Sequence, residues 1–127
     1  MGIFFIIMIT LKTLDQATEQ QVFDQVATHL LTQNKRSANE KGECMYRGPE
    51  GLKCAAGCLI ADDEYEQVFE GNSWRWFMVG GRVSRNCSGL INNLQSCHDS
   101  IDVDEWKDRL MYIASRFRLS TEVLNNF

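Results

Sequence analysis

The sequence predicts an α+β domain that is mostly α, with about four helices packed around one small β-hairpin. Amphipathic stretches near residues 18–33, 86–98 and 102–117 indicate the main helices. A turn at 48–51, in which Pro49 lies between two glycines, predicts the hairpin, because proline presets the backbone angle of a turn's first central position. At 127 residues, with 44% hydrophobic and 24% charged residues, the chain can bury one core.

The first helix has the clearest local signal. Thr18 and Gln21 form a capping-box pattern, in which two side chains satisfy free backbone N–H groups at a helix start. We therefore expect a helix from about 18 to 33. His29 lies beside its apolar stripe and is expected to be a surface or half-buried histidine. The stripe itself comprises Val22, Phe23, Val26, Leu30 and Leu31.

The predicted hairpin pairs residues 44–47 with residues 52–54. If Arg47 pairs with Leu52, Cys44 and Cys54 point to opposite faces; a turn with an odd residue count would reverse this. The small residues at 55–61 then predict a short helix that begins near Cys54. A helix N-terminus lowers the pKa of a thiol, so Cys54 is a candidate reactive cysteine, with a buried structural cysteine as the alternative.

The remaining elements are expected from caps and apolar spacing. Asp62 or Asp63 can cap a short helix that Gly71 ends, and Asn86 can cap the helix whose stripe ends at Cys97. The aromatic run at 73–79 is too short for its periodicity to distinguish a helix from a strand. Residues 102–105 form a second capping box, and 120–122 can cap a final short turn.

The chain divides into an apolar N-terminal extension at 1–13 and a single globular domain at 14–127. The first nine residues are apolar but too short to cross a bilayer, and they lack the basic region and cleavage site of an export signal. They are either an edge strand or extra sequence upstream of Met8, which could be the natural start. Five cysteines without an export signal indicate a reducing, intracellular setting with free thiols.

Charge and composition exclude several function classes. The net charge is −4, with lysine and arginine scattered along the chain, so we expect neither nucleic acid nor a membrane as a partner. Zinc could be bound by Cys44, Cys54, Cys58 and His98, but the spacing lacks a Cys-x2-Cys pair. We therefore expect no metal and no cofactor.

Two sets of residues could carry a function. Cys54, His98 and Asp99 supply a thiol, a base and a carboxylate, which are the groups that nucleophilic catalysis requires. A second set could bind an anionic ligand or the carboxylates of a partner. The alternative is a solvated hairpin in which Arg47 covers apolar surface. The second set comprises Tyr46, Arg47, Lys53 and, from the helix before His98, Gln95.

Four segments together resemble a family of small uncharacterised proteins encoded by tailed phages, prophages and some bacteria. The resemblance covers about residues 14–119. The segments are Cys-x-Tyr-Arg-Gly at 44–48, Leu-Lys-Cys-Ala-x-Gly-x-Leu-Ile at 52–60, Asp-Asp-Glu-Tyr at 62–65 with Glu-Gly at 70–71, and Leu-Gln-x-x-His-Asp at 94–99.

This resemblance implies a phage or mobile-element accessory protein in the cytoplasm of a bacterial host, and it implies no activity. We therefore expect an accessory protein that binds a host protein or a small anionic ligand through its hairpin face, with a role in countering host defence. The alternative from another class is a thiol-dependent enzyme, with Cys54 as the nucleophile and His98 as the base.

Overall fold

A computed structural model describes residues 8–127 of the chain, and within that range the fold is α-helical. The α-helices are α1 (Glu19–Gln33), α2 (Trp74–Val79), α3 (Ser88–Ser100) and α4 (Trp106–Phe117). Short 3₁₀ turns lie in the connections, at Leu14–Gln16, Pro49–Gly51, Ala56–Leu59, Gln67–Phe69, Val103–Glu105 and Glu122–Asn126.

Helices α1, α3 and α4 pack against one another and form the centre of the core. Helix α1 begins as predicted: the Thr18 hydroxyl accepts from the Gln21 N–H, and the Gln21 side chain accepts from the Thr18 N–H. Asn34 ends it in the left-handed conformation. The predicted stripes are buried, apart from the half-buried residues Leu31, Cys87, Val103 and Phe117. The fully buried residues include Phe23, Leu30, Leu90, Leu94, Trp106 and Leu110.

The predicted β-hairpin is wrong, and residues 8–127 contain no β-strand. The chain does turn at the predicted place, where Pro49–Gly51 forms a 3₁₀ turn. The legs of the turn meet at a single antiparallel bridge between Arg47 and Lys53, not between Arg47 and Leu52. The fold class is therefore α rather than α+β.

The ladder does not extend because side chains from elsewhere take the backbone groups that it would need. The carboxylate of Glu70 accepts from the N–H groups of Tyr46 and Arg47, at 2.9 and 3.0 Å. The side chain of Gln33 accepts from the Lys53 N–H at 2.9 Å and donates to the Lys53 carbonyl. Buried backbone groups need partners, and here side chains supply them in place of a second strand.

Three further local expectations need correction. The capping box predicted at 102–105 does not form, because the Asp102 side chain makes no capping hydrogen bond. Residues 62–70 form no α-helix; they contain a turn and the 3₁₀ turn Gln67–Phe69. Asn86 does not cap α3, because its side chain donates to the carbonyls of Leu14 and Ala17, and Cys87 precedes the helix in the left-handed conformation. The ambiguous aromatic run is a helix, α2, and the Ser73 hydroxyl caps it.

The small-residue run after Cys54 forms the 3₁₀ turn Ala56–Leu59 rather than an α-helix. Close approach of two chain segments explains the glycine in it. A Cβ atom at Gly57 would lie 2.5 Å from the carbonyl oxygen of Tyr46, so a larger residue would push the two segments apart.

The chain packs from Ile9 onward, within the segment assigned to the extension. Ile9 is buried, and the side-chain amide of Gln25 pairs with both its N–H and its carbonyl. The carboxylate of Glu64 accepts from the N–H groups of Leu11 and Lys12. The expectations for residues 1–7 lie outside the described residues. Within residues 8–127, every helix is too short or too polar to cross a membrane.

Candidate functional site

His98 lies at the C-terminal end of α3 and is fully buried. Its Nε2 atom is 2.9 Å from the backbone nitrogen of Ser37, and its Nδ1 atom is 2.8 Å from Oδ1 of Asp99. A backbone N–H can only donate, so Nε2 must accept and Nδ1 must carry the proton. The neutral imidazole therefore joins the loop after α1 to the end of α3.

Cys44 lies beside this pair. The Cys44 sulfur, a ring nitrogen of His98 and a carboxylate oxygen of Asp99 all lie within 4.8 Å of one another. A metal bound by this group would take Nδ1 of His98 and move the proton to Nε2, where it would face the Ser37 N–H. Two donors would then oppose each other in a buried position. The hydrogen bonds of His98 thus disfavour a metal at this cluster.

The cluster does not produce a reactive thiol either. Burial, and then the hydrogen bond and negative charge of Asp99, raise the pKa of Cys44 to about 11. The thiolate is the nucleophilic form of cysteine, and a raised pKa leaves little of it at neutral pH.

Cys54 is 1% exposed, and its sulfur accepts from the N–H of Gly57. Burial raises the pKa of Cys54 to about 12 despite that hydrogen bond. This direction is opposite to the one expected for a helix N-terminus. Asp99 does hold Nδ1 of His98, as the hypothesis expects, but Nε2 accepts from the Ser37 N–H and is not available to Cys54. The structure thus brings His98 and Asp99 together and does not prepare Cys54 as their nucleophile.

Arg47 holds the loop at 57–62 onto the turn. Its guanidinium donates to the carbonyls of Gly57 and Ile60, at 2.8 and 2.6 Å, and lies 3.3 Å from the carboxylate of Asp62. The same group stacks 5.0 Å from the ring centre of Tyr65. The Arg47 side chain is only 17% exposed. Most of its donors therefore bind the protein itself rather than an outside anion.

The other predicted binding residues are also held by internal contacts. The Tyr46 hydroxyl donates to the Asn72 carbonyl, and its ring packs against Phe69 in the core. Lys53 pairs with Asp62 at 3.7 Å. Gln95 accepts from the Ala56 N–H and donates to Asp99. These residues organise the loops, and their side chains offer few free groups for a ligand.

Among residues 8–127, the most exposed aromatic side chain lies elsewhere, on α2. Trp76 is 56% exposed and Val79 is 63% exposed, whereas Trp74 and Phe77 on the opposite side of the helix are buried. The Trp76 and Phe77 rings are nearly perpendicular, with their centres 5.1 Å apart. A shallow groove of about 480 Å³ runs past this side chain and is lined by Ser73, Arg75, Trp76, Val79 and Gly80.

The segment that carries α2 is basic in an otherwise acidic protein. Residues 71–98 contain three arginines, no lysine and no acidic residue, while the whole chain has a net charge of −4. Arg82 pairs with Glu66. Within residues 8–127, Arg75 and Arg85 form no ion pair, and both are exposed. We call Arg75, Trp76 and Val79, which line this groove together, the α2 surface.

Sequence reasoning missed several residues that organise these sites. Ser37 and Glu70 make long-range hydrogen bonds that leave no local pattern. The α2 surface does leave a signal, the run of 28 residues without an acid. Comparisons of the chain with protein families, with curated proteins and with solved structures give no match.

Proposed function

We propose that this is a non-enzymatic accessory protein that binds an acidic protein partner through the α2 surface. The observation that carries the proposal is the exposed Trp76 side chain next to Arg75, which forms no ion pair within residues 8–127. Tryptophan and arginine are enriched among the residues that contribute most to protein interfaces. The resemblance to phage-encoded proteins favours a host protein as the partner.

Charge and shape favour a protein partner over a small anion. The groove beside Trp76 is shallow and is bordered by apolar as well as basic side chains. A small anion would gain little from Val79 or from the face of the indole. An acidic protein surface with apolar side chains can cover the tryptophan and pair a carboxylate with Arg75.

The thiols support a binding role in a different way. Cys44 and Cys54 have a raised pKa, so neither is prepared for nucleophilic attack at neutral pH. A protein without a reactive thiol can still counter host defence by binding and blocking a host protein. Which host protein is bound would determine that role.

The test begins with affinity capture from nuclease-treated bacterial lysate, followed by binding measurements with the purified candidate. We expect an acidic protein to bind the wild type, and Trp76→Ala to weaken that binding by about 30-fold or more, which corresponds to about 2 kcal/mol. Arg75→Ala should weaken binding and reduce its salt dependence. Phe127→Ala removes another exposed aromatic ring, 41% exposed, and is the matched control.

A spectroscopic measurement locates the contact. Trp74 and Trp106 are 2% and 0% exposed, so quenching of fluorescence by acrylamide reports mainly on Trp76. The purified partner should protect the protein from quenching. Binding that is unchanged in the Trp76 and Arg75 variants, or binding to labelled DNA in place of protein, would refute the proposal.

A further inference from the structure

Helix α4 carries a second exposed face, with acidic groups at one end and basic groups at the other. Met111 and Tyr112, near its middle, are 48% and 53% exposed. Exposed acids occupy the start of the helix and the turn before it, and exposed arginines lie from its middle onward. The acids are Asp104, Glu105 and Asp108, and the arginines are Arg109, Arg116 and Arg118. None of the six forms an ion pair within residues 8–127.

Three of these charged residues and Tyr112 lie in one row along the helix. Glu105, Arg109, Tyr112 and Arg116 follow one another at spacings of four, three and four residues, which places them along one helix face. The guanidinium groups of Arg109 and Arg116 lie 5.7 and 6.0 Å from the ring centre of Tyr112. Arg116 also donates to the Tyr112 hydroxyl at 3.2 Å. We call these four residues the α4 stripe.

We infer that the α4 stripe binds a second copy of this chain, with the two α4 helices antiparallel about a twofold axis. The axis passes between Arg109 and Tyr112. Glu105 then faces the second copy's Arg116 at both ends of the contact, and each Arg109 faces a tyrosine ring. A groove of about 460 Å³, lined by Ile101, Glu105, Asp108, Arg109 and Tyr112, receives the incoming arginine.

Charge complementarity selects this occupant. A parallel arrangement would place acids against acids and arginines against arginines. An acidic partner would be repelled by Asp104, Glu105 and Asp108, and a basic partner by the arginines. In an antiparallel pair, the acidic end of each α4 helix faces the basic end of the other. A twofold contact between identical surfaces has this symmetry.

The size of the contact sets its strength. The stripe covers three turns of helix, about 17 Å in length, whereas a standard stable interface buries about 800 Å² per partner. We therefore expect a weak dimer, with a dissociation constant on the order of 10–100 μM. Its ion pairs lie at the surface, so the affinity should fall as salt is raised from about 0.05 to 0.5 M.

Charge exchange between two variants tests the geometry. Glu105→Arg places arginine against arginine at both ends, and Arg116→Glu places glutamate against glutamate. Each variant alone should self-associate at least tenfold more weakly than the wild type in sedimentation velocity. An equimolar mixture of the two variants should recover the wild-type affinity, because each end of the mixed dimer again has one acid and one arginine. Circular dichroism of each variant checks that it is folded.

Further measurements complete the design. Trp76→Ala changes the α2 surface and should leave self-association unchanged. Tyr112→Ala should weaken it. The inference is overturned if the wild type stays monomeric up to about 1 mM at low salt, or if a dimer forms that neither charge reversal weakens. A mixture of the two variants that associates no better than each alone would also overturn it.

Discussion

Replacing Arg47 by alanine should destabilise the fold strongly. The change removes the two hydrogen bonds from the guanidinium to the Gly57 and Ile60 carbonyls, as well as the stacking on Tyr65. A hydrogen bond from a charged group contributes about 1.5–3 kcal/mol, and an exposed cation–π contact about 0.5–1 kcal/mol. The Gly57 carbonyl still accepts from the Ile60 N–H after the change. Losing the Arg47–Gly57 hydrogen bond therefore costs less stability than losing the Arg47–Ile60 hydrogen bond.

The lower ends of these ranges, with less than the full value for the Gly57 bond, give a loss of about 3 kcal/mol in the free energy of unfolding. For a domain of this length each kcal/mol corresponds to about 4 °C in Tm, so Tm should fall by about 12 °C. Urea denaturation followed by circular dichroism measures the free energy directly. Arg47→Lys keeps the charge but not the forked geometry, and it should recover less than half of the loss.

Lys53→Ala is the matched control. Lys53 is the other cation near Asp62, at 3.7 Å, but the Asp62 side chain is 87% exposed. An ion pair at the surface contributes about 0–1 kcal/mol. Its removal should therefore change the free energy of unfolding by less than 1 kcal/mol. If Arg47→Ala and Lys53→Ala are equally mild, the conclusion that Arg47 holds the loop onto the turn is incorrect.

Further predictions concern protons, thiols and metal. Burial lowers the pKa of His29 below 6.5. Between the folded and unfolded pKa values, the folded state therefore binds fewer protons than the unfolded state. The stability that His29 contributes is complete above pH 6.5 and is lost as pH falls through the folded pKa. Urea titrations should show a weaker loss of stability on acidification for His29→Gln, and parallel profiles would contradict this. Cys54 should react slowly with iodoacetamide at pH 7.5 in the native protein, and all five cysteines should react in denaturant; rapid native alkylation at Cys54 would exclude the assigned burial. Titration with zinc should give no stoichiometric binding, since His98 already accepts from Ser37, and a Cys44→Ser-sensitive zinc site would contradict that reasoning.

Local sequence signals predicted the long helices α1, α3 and α4 because the causes of these helices are local. The Thr18–Gln21 capping box and the Leu90–Leu94 stripe involve residues within one or two turns of each other. Contacts between residues this close in sequence can be predicted from their spacing alone. The structure confirms both of these predictions.

The hairpin prediction failed because the competing partners are distant in sequence. Pro49 and its glycines do form a turn, and the local pattern offers no reason to stop the ladder after one pair. Glu70 and Gln33 stop it, from 23 and 20 residues away. The same reasoning applies to Cys54, for which a position near a helix start suggested a lowered pKa, while burial by the tertiary fold determines the actual direction.

Some side chains in this protein hydrogen-bond to backbone groups that a second strand would otherwise pair. These side chains determine which sequence positions tolerate substitution. Gln25, Gln33, Glu64 and Glu70 hold the backbone of other segments, although their polarity is typical of surface positions. In a saturation mutagenesis library selected for folding, these four positions should be depleted of substitutions as strongly as the apolar core. Polar residues therefore specify this fold as strongly as hydrophobic ones do. A redesigned sequence that preserves only the hydrophobic pattern should fail to recover the structure.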